Sequence, residues 1–271
     1  MQGTIAKTFA KSITIHTYTA PEAGWVVNSH IVELPTQLFV IDTQYMLPFA
    51  EEVAAYAAKL SKPITRLYVT HFHPDHILGA AAFNMPVSAL PEVKAKIEAV
   101  GDRVAIEENE RHGDRIPKTV VRPSIAAALG RETVDDVQID FLRLQNAETA
   151  DALMFAFPGR GVMITQDFLY NRVHPFLGER AFDTWAAALR DHQLNATKFR
   201  TLLPGHGVPA GVELYGEMLA YLSFAKRLLT DVRDPAIFKS RIVSAFPNYA
   251  GRVLLDHEAR FLFPPKTASA S

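Results

Sequence analysis

The sequence predicts a layered α/β domain, with helices covering the faces of β-sheets, followed by a helical C-terminal extension. Three observations predict it. Strand-patterned runs alternate with helix-patterned runs along most of the 271 residues, and β-rich stretches lie at the start and in the middle. Beyond about residue 211 the pattern is helical alone. Hydrophobic residues make up 48% of the chain and charged residues 21%, which suits a sizeable core and argues against disorder. Residues 1–211 are therefore expected to form one domain and 212–271 an extension packed on it.

The elements follow in order. "KSITIHTY" (11–18), "GWVVNSHIVEL" (24–34) and "QLFVIDT" (37–43) read as strands. "PFAEEVAAYAAKL" (48–60) has helical periodicity and stops at "SKP". "ITRLYVT" (64–70) is a short β-branched run, read as a buried strand, and "HILGAAAF" (76–83) reads as a helix. "MPVSAL" (85–90) is a strand, and "PEVKAKIEAV" (91–100) a helix opened by proline. Residues 101–135 mix charge with "HGDRIP" and a short apolar "IAAAL", and no element is assigned there. "VQIDFLRL", "ALMFAF" and "GVMIT" read as three strands, the last two joined by the turn "PGR". "ERAFDTWAAALRDHQL" (179–194) is a helix, and "RTLLPGHG" (200–207) a strand running into a glycine-flanked histidine. The helical tail reaches about Phe261, before a low-complexity end, "KTASAS".

Composition excludes some chemistry. The chain has no cysteine, so disulfides and thiolate ligands are ruled out, and any metal must be held by nitrogen and oxygen. A net charge of −1 with no basic run argues against nucleic acid as a partner. Neither a signal peptide nor a membrane-spanning stretch is evident, which leads to the expectation of a cytoplasmic protein with no membrane partner. The amphipathic stripe of "EMLAYLSFAKRLL" (217–229) is expected to pack on the domain or on a second subunit, which leaves a homodimer open.

Function is concentrated in "THFHPDH" (70–76), which holds three of the ten histidines at a strand-to-helix junction. Side chains two apart on an extended strand share a side, so His71 and His73 can grip one cation. Pro74 then turns the chain, and Asp75 and His76 point to a second place nearby. Imidazole and carboxylate donors suit zinc, and also iron or manganese.

"HFHPDH" resembles the His-x-His-x-Asp-His signature of the metallo-β-lactamase fold superfamily. The resemblance extends over most of residues 10–210, through "NSHIVELPTQLFVIDT", "GVMITQD" and "LLPGHG". It implies a four-layered αββα sandwich with two divalent metals at one edge of the sheets. It also implies a hydrolase that attacks a small ester, lactone, thioester or amide with a metal-bridging hydroxide. Carried over, His71 and His73 would bind the first metal, Asp75, His76 and His206 the second, and Asp167 would bridge. Asp75 or Asp167 would also pass a proton to the leaving group. Tyr170 stands where lactone hydrolases of the superfamily carry a tyrosine that donates to the substrate carbonyl, although packing on a neighbouring helix would also explain it.

The sequence departs from the family at one ligand. Where a third histidine for the first metal is usual, "LQNAETADALMFAF" has none, and Glu148 takes its place, with Asp151 as a rival. A His-His-Glu set is a sound zinc site. With Glu148, Asp75, Asp167 and hydroxide against two dications, the centre would be formally neutral. That should reduce Lewis acidity and favour harder cations. Iron redox chemistry on the same fold, or a non-catalytic metal-binding protein, are the alternatives to hydrolysis. A true β-lactamase role fits poorly, for want of a secretion signal and because of this departure.

Other residues get plainer readings. Trp25 and Phe72 could wall an apolar pocket, or simply be core. His30 reads as a hydrogen-bonded structural histidine. His174 reads as a surface residue with a pocket-mouth role as the alternative, and Asn171 and Arg172 as possible polar contacts. His16, His112, His192 and His257 have no companions in sequence.

Overall fold

Strand alternation begins earlier than expected. In a computed structural model, which describes residues 1–264, β1 (Thr4–Ala10) pairs antiparallel with β2 (Ile13–Thr19) through a two-residue turn. β1 is half exposed along its length, so its sequence has no clean apolar alternation to mark it. β3 (Asn28–Glu33) and β4 (Leu38–Ile41) continue the antiparallel run. After α1 (Leu47–Ala58) the chain returns as β5 (Ile64–Tyr68), parallel to β4. The histidine segment turns into α2 (Pro74–Ile77), and a 3-10 helix (Leu78–Phe83) continues it. "HILGAAAF" is thus helical, but mostly as 3-10 turns, and the helix starts at Pro74 rather than His76. β6 (Val87–Ala89) follows, then α3 (Pro91–His112).

Helix α3 corrects the sequence reading, which ended it at Val100. Its buried stripe is Val93, Ile97, Gly101, Ala105 and Glu108. The second half of that stripe is a glycine, an alanine and a carboxylate, so hydrophobic periodicity fades while the helix continues. Short β7 (Ile125–Ala126) completes a seven-stranded sheet, ordered β1 to β7.

The second sheet is built from β8 (Gly130–Val134), β9 (Val137–Gln145), β10 (Asp151–Phe157), β11 (Val162–Tyr170) and, after α4 (Phe182–Asn195), β12 (Thr201–His206). Its order is β12-β11-β10-β9-β8, with β11 and β12 parallel. All nine residues of β11 are buried, as expected of a strand covered on both faces. Two sheets stack face to face with helices outside, an αββα sandwich. His30 of β3 joins them: its Nε2 lies 3.1 Å from Gln166 Oε1 and from Pro204 O, and its Nδ1 lies 3.0 Å from Thr17 Oγ1. It is the satisfied structural histidine the sequence suggested.

The tail forms α5 (Glu213–Asp231), α6 (Pro235–Ala245) and α7 (Arg252–Leu262). The segment "KTASAS" lies outside the described residues. No described helix is long and apolar enough to cross a membrane. Helix α7 is tied to the domain twice. Glu22 accepts the backbone N–H groups of Gly251 and Arg252 at 3.0 and 2.9 Å, capping its start. Glu258, fully buried, accepts Leu177 N–H at 2.8 Å.

Burial pushes the Glu258 carboxyl well above the usual carboxylate range. Folding therefore favours its neutral form over the charged form. A raised carboxyl pKa stabilises the fold below the unfolded value of 4.5 and loses that contribution as pH rises. Wild-type stability is expected to fall relative to Glu258→Gln by up to about 1.4 kcal/mol per pH unit above pH 5. Urea denaturation of both proteins at pH 5, 6, 7 and 8 checks this, and parallel curves would exclude it.

Candidate metal centre

Three strand ends and one hairpin tip converge at the edge of the sandwich. His71 and His73 follow β5, Asp75 and His76 lie in α2, Asp167 is in β11, and His206 ends β12. Glu148 occupies the turn between β9 and β10, where Asn146 N–H donates to Ala150 O at 3.0 Å. Leu153 N–H donates to Thr70 O at 3.0 Å and fixes that hairpin against the histidine segment.

Among the described residues three sets of side chains are grouped closely enough to hold a metal ion: His71, His73, Glu148 and Asp167; Asp75, His76 and His206; and Asp42, His71 and His76, the last held by a hydrogen bond between His76 Nδ1 and Asp42. Asp167 also reaches the second set, with Oδ1 3.2 Å from His76 Nε2 and Oδ2 3.2 Å from His206 Nε2. In the first set His73 Nδ1 is 2.9 Å from Glu148 Oε1, and His71 Nε2 is 3.8 Å from Glu148 Oε2. All seven expected ligands are brought together. The rival Asp151 is turned away and paired with Arg143 at 2.7 Å.

The polar atoms at the centre lack partners. His71 Nε2, His76 Nε2, His206 Nε2, both Glu148 oxygens and Asp167 Oδ1 are buried with no hydrogen bond. Buried polar atoms are ordinarily satisfied, and a cluster of orphans facing one another is what divalent cations would satisfy. The outer nitrogens, by contrast, are bound. His76 Nδ1 meets Asp42 Oδ2 at 2.7 Å, His206 Nδ1 donates to Trp25 O at 2.9 Å, and His71 Nδ1 meets Thr70 Oγ1 at 3.0 Å. Donation from Nδ1 leaves the Nε2 lone pair pointing inward, the tautomer a metal ligand needs.

Charge follows the same plan. Burial opposes a proton on His73 and His206, yet the neighbouring carboxylates win: Glu148 holds His73 up at about 10, and Asp167 holds His206 up at about 9. Asp75 and Asp167 are held below the usual carboxylate range against burial, chiefly by His76. Burial pushes Glu148 up to about 7, with His73 pulling against it. Cations binding here would displace these imidazole protons, so affinity should rise with pH.

Backbone strain surrounds the site. Trp25, Val26, Asp42, Gln44 and Gln166 all have positive φ, and for β-branched Val26 at 58° that is a costly conformation. Trp25 and Val26 bring the Trp25 carbonyl to His206, and Asp42 closes β4 so that its carboxylate reaches His76, Thr70 and Gln166.

Asp42 is the main residue the sequence reading missed. Its signal was available: an aspartate directly after the apolar run "LFVI", as Asp167 follows "GVMITQ". Tyr170 lies within β11, not in a loop. Its hydroxyl donates to Asp167 Oδ2 at 2.5 Å and its ring stacks on His206 at 4.6 Å. Burial and Asp167 keep it protonated. Trp25 and Phe72 both line the adjoining pocket, and Trp25 is at the same time part of the buried core, so both readings offered for it hold. Two histidine readings change. His174 is buried, not superficial, and pairs with Tyr221 Oη at 2.8 Å. His257 has companions after all, lying 4.6 Å from the Trp25 ring on the pocket wall. Asn171 donates to Val208 O, and neither it nor Arg172 lines the pocket.

Known proteins share this fold. The family model "Metallo-beta-lactamase superfamily" matches residues 23–206. A linear primary-alkylsulfatase from Pseudomonas sp. (strain ATCC 19151) is 25% identical over 233 residues, 70% of this chain. The chain spans 43% of that relative's length. Among solved structures, a metallo-beta-lactamase from Pontibacter korlensis superposes with a TM-score of 0.61 at 20% identity, over 81% of this chain and 99% of that one. The metallo-beta-lactamase FIM-1 from Pseudomonas aeruginosa, in its mono-zinc form, gives 0.61 at 17% identity over 83% and 96%. At such identities the likeness is one of fold. With well over half of its length matched by the family model, the chain belongs to the metallo-beta-lactamase superfamily, whose members named here are hydrolytic enzymes.

Proposed function

We propose that the protein is a hydrolase of a small ester, lactone, thioester or amide, loaded with two zinc ions. The observation that carries this is the pair of donor sets with Asp167 in reach of both, most of their inward atoms buried and without a hydrogen bond. His71, His73 and Glu148 would hold one ion, Asp75, His76 and His206 the other, with Asp167 between them. Bound zinc would supply hydroxide at neutral pH and polarise the carbonyl oxygen beside the bond to be cleaved.

The chain's own residues do the rest. Asp167 orients the nucleophile, and Asp75, at the pocket floor, carries a proton to the leaving group. Tyr170 is a protonated donor beside Asp167, placed to turn its hydroxyl to the oxyanion that develops. The named relative acts on alkyl sulfates by its description, which favours sulfuric esters as a second substrate reading.

A panel of zinc-loaded assays tests the proposal: p-nitrophenyl esters, a γ-lactone, a thioester, an anilide and an alkyl sulfate. Turnover of at least one is expected, and Tyr170→Phe should lower kcat on the order of 10²-fold with little change in KM. A fully loaded protein inert towards every member would sink the hydrolase reading.

A further inference from the structure

The pocket over the metal centre has a wall that the family match does not include. Helix α7, beyond residue 206, contributes Leu254, His257, Arg260 and Phe261, and α3 contributes Val100 and Val104 opposite. Phe176 bridges between them and the centre, its ring 5.1 Å from His73 and 5.5 Å from Phe261. Trp25 closes one side, stacked on Tyr45 at 4.1 Å and covered by His257.

Most of the rim charges are already engaged. Arg103 pairs with Glu107 at 3.0 Å, Arg260 lies 3.4 Å from Glu108, and Lys96 sits over the Phe72 ring at 5.0 Å. Glu108 is already bound by Arg111 at 2.8 Å and by the Tyr45 hydroxyl at 2.6 Å. The basic residues of the lining, Lys96, Arg103 and Arg260, equal the acidic rim residues Glu107, Glu108 and Glu179 in number, so the rim carries no net charge that would select a charged substrate. What remains is a largely apolar pocket of about 160 Å³, a volume that includes the space over the candidate metal ligands.

We propose that this compartment, closed by α7, binds an uncharged hydrocarbon group of the substrate, an alkyl chain of about six carbons or a single aromatic ring. An apolar cavity of ~150 Å³ takes up benzene, which sets that size. The proposal rests on the hydrolase reading for what is cleaved, but the compartment is a property of the walls alone. Specificity would then be set by α7 and α3, outside the ligand segments.

Calorimetry with straight-chain carboxylates, from acetate to dodecanoate, tests it on the zinc-loaded protein. Each methylene buried is worth ~0.8 kcal/mol, so affinity should rise about fourfold per carbon to about six carbons and then level off. Val100→Trp, which fills the compartment from the α3 side, should end the rise at about two carbons. Phe261→Ala, at a 44% exposed position that the fold tolerates, should extend it. A flat series in the wild type would overturn the proposal, as would tighter binding of dicarboxylates than of monocarboxylates of equal length. The two readings fail separately: a retained chain-length slope without turnover of any ester removes the hydrolase, and turnover with a flat series removes the compartment.

Discussion

Glu148→Ala is expected to lower the metal content from about two ions per chain to about one, measured by mass spectrometry on protein dialysed against zinc. The first donor set would keep His71, His73 and the shared Asp167, losing the one carboxylate that belongs to it alone. Both oxygens of that carboxylate are buried without a hydrogen bond, and its one close partner, His73 at 2.9 Å, is itself a candidate ligand of the same ion. Removing an outer partner of a metal ligand costs 10–100-fold in affinity, and removing the ligand should cost more. Glu148→His is the companion. It would raise the formal charge of the centre by one, tighten zinc against a chelator, and move the acid limb of the pH–rate profile to lower pH. Unchanged stoichiometry and affinity in both variants would exclude Glu148 from the ligand set.

Why Glu148 was readable, and Asp42 or α7 were not, has a physical answer. The ligands in "HFHPDH" are close in sequence because one strand end and one helix start supply four of them. Glu148, Asp167 and His206 each sit at a fixed place relative to an apolar strand, so local text marks them. Asp42 acts through a left-handed turn that carries it under His76, a long-range contact with no local signature. The pocket wall is less legible still. Leu254, His257 and Phe261 are ordinary members of an amphipathic helix until the tail folds back over Trp25. Likewise β1 and the second half of α3 are held by their neighbours more than by their own patterning. Strand and helix order, sheet stacking and the convergence of the candidate donor residues were therefore open to reading, while the substrate side of the site was not.

Gly205→Ala is expected to do comparable damage to the centre without replacing any of its candidate ligands. A Cβ at Gly205 would stand 1.8 Å from Asp167 Oδ1 and 2.8 Å from the Asp167 backbone nitrogen. The second of these is backbone in a fully buried strand, so rotating the carboxylate aside does not relieve the clash. β12 must move away from β11, and His206, the next residue, moves with it. Asp167 and His206 together serve the second donor set, so zinc at that set should be lost first. Overpacking of this kind costs ~1–3 kcal/mol, which should also lower the Tm. Gly216→Ala is the contrasting variant. It lies in α5 with nothing within 4 Å of the added carbon. There alanine should stabilise the fold by ~0.5–1 kcal/mol and leave metal content unchanged. Calorimetric melting and metal analysis of the two variants side by side would separate steric exclusion at the centre from a general intolerance of replacing glycine. Full zinc content in Gly205→Ala would mean that β11 and β12 yield more easily than the strand geometry implies.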